Sequence, residues 1–152
     1  MGDDRGRRLC APLLLALGLL LAFEAPGGLV IFVARLVVGT IPGEALHVAV
    51  GIALTALYAP YQWGHWARVR PFRPQLHYAL GLIAALAMAL TNLTGLWLAA
   101  DWWQARIAVP TGVAVRYPPL LSGIHNVLSM VVLTFAGAHL GAVLFRDRSL
   151  ER

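Results

Sequence analysis

The chain has 152 residues, of which 59% are hydrophobic and 12% charged, with a formal net charge of +5. A soluble globular domain carries about twice that share of charge, and the 12 basic residues, all arginine, sit at the ends of apolar runs rather than along one face. That excludes a soluble domain, a disordered tail and a nucleic-acid binder, and the lone Cys10 excludes an internal disulfide or a CxxC site.

About 20 mostly apolar residues are needed to cross the hydrocarbon layer, and four segments qualify: residues 9–35, 45–66, 77–100 and 120–145. They predict an all-α, integral membrane four-helix bundle forming a single domain over residues 1–152. The first segment is interrupted by Glu24-Ala25-Pro26-Gly27-Gly28, but halves of it would be too short to span, so one helix loosened at Pro26 is expected. Arg5, Arg7 and Arg8 before a leucine-rich run also resemble a secretory leader; no good small-residue cleavage site follows, which favours an uncleaved helix. The connection from Asp101 to Pro119 is the longest and holds a turn-like Val109-Pro110-Thr111-Gly112 stretch that could fold over the outer end.

The arginines set the orientation. The N-terminus, the loop with Arg68, Arg70 and Arg73, and the tail with Arg146, Arg148 and Arg152 together hold nine; Arg35, Arg106 and Arg116 make three on the other side. The expectation is a multi-pass membrane protein with both termini cytoplasmic. Trp63, Trp66 and Tyr78 inside, and Trp97, Trp102, Trp103 and Tyr117 outside, read as headgroup-level belts.

Five histidines fall in or beside these spans, and polar side chains at membrane depth usually face the bundle interior for a reason. His125 and His139 are 14 residues apart on one helix, about 40° short of four turns and about 21 Å along the axis, so both project from one face. Such spacing suits two cofactors stacked across a membrane, whereas metal transport would want ligands at one depth. A six-coordinate haem takes one axial ligand from each of two facing helices. His47 and His125 each open their helix on the outer side and form the outer pair. His139 needs an inner partner, and His77 and His65 are both available. At the helical rise His139 lies about 10 Å from the inner boundary, His77 about 6 Å and His65 about 4.5 Å, which favours His77 narrowly. Gly51, Gly81, Gly137 and Gly141 near these histidines leave room for a flat ring, and Arg106, Arg116, Arg68, Arg73 and Arg146 are candidate partners for its propionates.

These residues resemble the small four-helix di-haem cytochromes b of bacteria, the group that includes cytochrome b-561, the formate dehydrogenase gamma subunit and the cytochrome b subunit of nickel–iron hydrogenase. The likeness rests on Ile124-His125 through His139, on His47-Val48-Ala49-Val50-Gly51, and on Leu76-His77-Tyr78 followed by Thr94-Gly95-Leu96. It implies haem ligation by His47, His125 and His139, two haems b, and electron transfer between membrane quinone or quinol and a partner redox protein. The family's histidine near the inner end of helix one is missing; Arg8-Leu9-Cys10 stands there. A faint internal repeat sets Cys10 against His77 at an offset of 67, and His47 against His125 at an offset of 78. It moves the inner ligand to helix three, with His65 the other choice and a single haem the simpler one.

The chain has no flavin, iron–sulfur or nucleotide motif, so it reads as the electron-transfer subunit of a larger respiratory or photosynthetic complex rather than a stand-alone enzyme. Glu24, the one carboxylate well within a helix, is a candidate proton acceptor from quinol, with Glu44 as its alternative at the interface; capping the break at Pro26 is the plainer role for Glu24. Two other classes remain: a haem-free membrane anchor or scaffold, and a small proton-coupled transporter.

Overall fold

The computed structural model describes the backbone of residues 3–39, 41, 43–69, 76–108 and 115–150, and the side chains of 12–39, 41, 43–67, 78–108 and 115–142. It is built from four helices: α1 (Asp3–Val38), α2 (Glu44–Val69), α3 (Leu76–Ala108) and α4 (Pro119–Leu150). No strand occurs among the described residues. The side chains of Arg68, Arg70, Arg73, His77, Arg146 and Arg148, and the Val109–Gly112 stretch, lie outside them.

α1 runs unbroken through Pro12 and Pro26, as one 36-residue helix. It stops at Gly39, whose φ of 71° is the left-handed conformation that ends a helix at the position after its last turn. Gly43, at φ 74°, makes the second bend of the turn, and its carbonyl receives the amide of His47 at 2.9 Å. α3 continues eight residues beyond its expected end at Ala100, because Asp101 to Ala108 contains neither glycine nor proline. The long outer connection expected from Asp101 onward is therefore mostly helix.

Each helix packs on its neighbours in a ring, α1 on α2, α2 on α3, α3 on α4 and α4 back on α1. Packing is closest within the hairpins α1–α2 and α3–α4, and the diagonal pairs hardly touch. Few apolar side chains are buried: among the described residues, Leu17, Leu54, Ala87, Val115 and Val132. Large apolar groups such as Leu19, Val37, Trp63 and Leu140 face outward instead, far beyond the scattered patches of a soluble monomer.

α1, α3 and α4 are long and apolar enough to cross a membrane, over Pro12–Val38, Tyr78–Ala108 and Pro119–Ala142. Four spans were expected. At 26 residues α2 has the length but falls short in apolarity, because Glu44, His47, Gln62 and His65 dilute it. Within the helices, Thr55, Thr91, Ser129 and Thr134 donate to the carbonyl four residues back, so these hydroxyls are satisfied without water.

Candidate functional site

The ring of helices encloses a cavity of about 280 Å³ in the half nearest the α1–α2 turn, close to the lower end of the roughly 300–1,000 Å³ usual for ligand pockets. All four helices line it, and its polar wall includes Glu24, Arg35, Glu44, His47, Asn92 and His125. The two histidines expected to form the outer pair thus share one cavity, from the diagonal helices α2 and α4.

His47 is held from α1. Its Nδ1 lies 2.5 Å from Oε2 of Glu24, which is only 8% exposed. The contact is close but misaligned, so His47 Nδ1 and Glu24 Oε1 are both buried without a hydrogen-bond partner. The glycine on α1 makes this approach possible, whereas the one on α2 stands at an ordinary contact distance. A Cβ on Gly28 would stand 3.3 Å from His47 Cε1, and one on Gly51 would stand 3.9 Å from Glu24 Oε2.

His125 is held from α3. Its Nδ1 lies 3.2 Å from the Thr91 carbonyl and 3.1 Å from Thr94 Oγ1. The carbonyl can only accept, so the ring donates to it from Nδ1. A Cβ on Gly95 would come within 3.1 Å of His125 Cε1, so the missing side chain is again what seats the ring. No hydrogen bond reaches Nε2 of either histidine among the described residues. A histidine whose Nδ1 is tied to a carboxylate or carbonyl, and whose Nε2 is open, is arranged as a metal-bound imidazole is.

The outer mouth is closed by a carboxylate that counting along the chain did not bring together with its partners. Glu44, at the start of α2, accepts from Trp102 Nε1 at 3.0 Å, Arg106 at 2.9 Å and Tyr117 Oη at 2.6 Å. Burial, and then the hydrogen bond to Glu44, push the Tyr117 hydroxyl well above its usual pKa, while Arg106 and Arg35 pull it back only in part. Arg106, expected beside a propionate, is committed to Glu44, and Arg116 is exposed. Arg35 lines the cavity instead, its guanidinium 5.5 Å above the Tyr117 ring. Asn92 was also missed. It lies between the cavity and a groove walled by Tyr58, Trp63 and Trp66, and its buried Nδ2 has no hydrogen-bond partner.

His139 packs on α3 so closely that a Cβ on Gly81 would lie 2.8 Å from its Cε1. His65 stacks on Tyr61, ring centroids 5.5 Å apart and 15° from parallel. His77 lies in the first turn of α3, four residues before Gly81. Gly137 and Gly141, expected to make room beside His139, face open space.

No group of three or more histidine, cysteine or acidic residues suited to a metal ion occurs among the described residues. The arrangement brings two imidazoles, from the diagonal helices α2 and α4, to the lining of one largely apolar cavity. Comparison with known protein families, curated proteins and solved structures finds no match to this chain.

Proposed function

We propose that the chain is a membrane cytochrome b that holds haem b between His47 and His125 and passes electrons as the membrane subunit of a larger redox complex. One observation carries the reading: two histidines on diagonal helices line one cavity, each with Nδ1 approached by an acceptor and with no hydrogen bond to Nε2 among the described residues. Gly28 and Gly95 let each imidazole sit close against the neighbouring helix, which holds both rings at the cavity lining. When bound, haem supplies one-electron transfer; the helices fix its ligands and exclude water.

A second, inner haem would use His139. The ring order of the helices favours His65 over His77 as its partner, because α2 is diagonal to α4 whereas α3 packs directly against it. His65 also lies 18 residues after His47, five full turns, and so shares its face. In this reading α2 crosses with the other three helices, both termini are cytoplasmic, the membrane is a bacterial inner membrane, and quinone or quinol is the mobile partner.

An absorption spectrum of protein purified from haem-replete cells tests the proposal. A Soret band with a reduced b-type α-band is expected, lost in part or whole in His47→Ala and His125→Ala. A colourless protein, or full low-spin haem in both variants, refutes it and returns the chain to the anchor and transporter classes. Haem per chain separates one site from two, and His65→Ala against His77→Ala identifies the inner ligand.

A further inference from the structure

The α1–α2 interface is interlocked around one polar contact. Glu24 and Gly28 are one turn apart on α1, and His47 and Gly51 one turn apart on α2. In the antiparallel pair the imidazole lies over Gly28, where a Cβ would crowd it at 3.3 Å, and the carboxylate lies beside Gly51 at an ordinary contact distance. A helix contact that served packing alone would be met by glycine and aliphatic side chains. Here both large members are polar, both line the cavity, and the carboxylate is nearly inaccessible.

We infer that Glu24 is the positioning residue of His47, holding the imidazole as the tautomer with its proton on Nδ1 and presenting a bare Nε2 to the cavity. This rests on reading His47 as a haem ligand. Of the two ring nitrogens, only Nδ1 has an acceptor nearby among the described residues, so the carboxylate selects which one carries the hydrogen. The misalignment of the contact does not oppose this, since at 2.5 Å Nδ1 still faces the carboxylate, and a proton on that nitrogen is what their closeness favours. The two walls of the cavity then differ. His125 leans on a neutral carbonyl and a hydroxyl, whereas His47 leans on a carboxylate, which makes His47 the more electron-donating ligand.

Two measurements on the full-length protein in detergent test this. The first uses ¹⁵N-histidine labelling of protein prepared without haem, with the His47 signal identified by its loss in His47→Gln. A predominantly Nδ1–H ring is expected in the native chain, shifting to a mixture in Glu24→Ala. An Nε2–H ring in the native chain, or one tautomer population in both, overturns the inference whatever becomes of the haem reading. The second compares the haem-loaded native protein with Glu24→Gln, which keeps size and removes the anionic acceptor. The haem that the variant retains is expected to show a raised reduction potential and an altered low-spin electron-spin-resonance spectrum. If haem is retained and both signatures stay put, Glu24 does not act on His47. If the native protein binds no haem, the proposed function fails while the tautomer result still decides the role of Glu24.

Discussion

Removing the carboxylate of Glu44 should loosen the outer end of the bundle more than any other single change there. Three donors from three places in the chain converge on it: Trp102 and Arg106 late in α3, and Tyr117 just before α4. Hydrogen bonds to a charged group contribute about 1.5–3 kcal/mol each, but they are not additive. The Arg106 side chain is 27% exposed against 9% for Glu44, so water recovers part of the loss. Removing one partner of a buried pair costs roughly 3–5 kcal/mol, and Glu44→Ala should fall near the lower figure. For a chain of this size about 3 kcal/mol corresponds to roughly 10 °C in melting temperature. Thermal unfolding in detergent, followed by tryptophan emission, reads both the shift and the local change at Trp102. Glu44→Gln should lose less, and pairing it with Arg106→Gln should show coupling between the two sites. A shift below about 2 °C in Glu44→Ala would mean the cluster contributes little beyond surface pairing, and the reasoning fails.

Gly81→Ala should destabilise by about 1–3 kcal/mol, because its Cβ would meet the His139 ring at 2.8 Å, whereas Gly18→Ala, with nothing within 4 Å, should be neutral or stabilising by up to about 1 kcal/mol. Melts of the two side by side check this, and equal shifts would contradict the close α3–α4 approach. Gly39→Ala should cost about 1–2 kcal/mol through its left-handed backbone at φ 71°, measured in the same way; no loss there would mean the turn can relax. Tyr117 favours its protonated form in the fold, so its stabilising share is complete below the ordinary tyrosine pKa of about 10 and is lost as pH rises above it. Melting temperature against pH should fall on that alkaline limb, and Tyr117→Phe should flatten it; an equally steep limb in the variant would assign the effect elsewhere.

The helices and their order were readable because apolar run length is a local property. Placing His47 and His125 at one level was readable too, because each opens a helix that runs in the same direction. The work of the glycines was less legible. Four were expected to leave room for a flat ring, whereas Gly28, Gly81 and Gly95 make room for the histidine that faces each across an interface. A usable signal was present: Gly81 and Gly95 are 14 residues apart, as are His125 and His139, which is what two seats on an antiparallel neighbour require. The Glu44 cluster had no such signal. Its members are separated by 58, 62 and 73 residues, and a tryptophan, an arginine and a tyrosine near helix ends read equally well as membrane-surface anchors.

The division of the ring into two close-packed hairpins also bears on how the protein is made. His47 finds Glu24 and Gly28 within the first hairpin, and His125 finds Thr91, Thr94 and Gly95 within the second. Each half can therefore set its own histidine as soon as its two helices have left the ribosome and packed on each other. Only the cavity between the halves must wait for both. Biogenesis would then end with the docking of two prepared pieces.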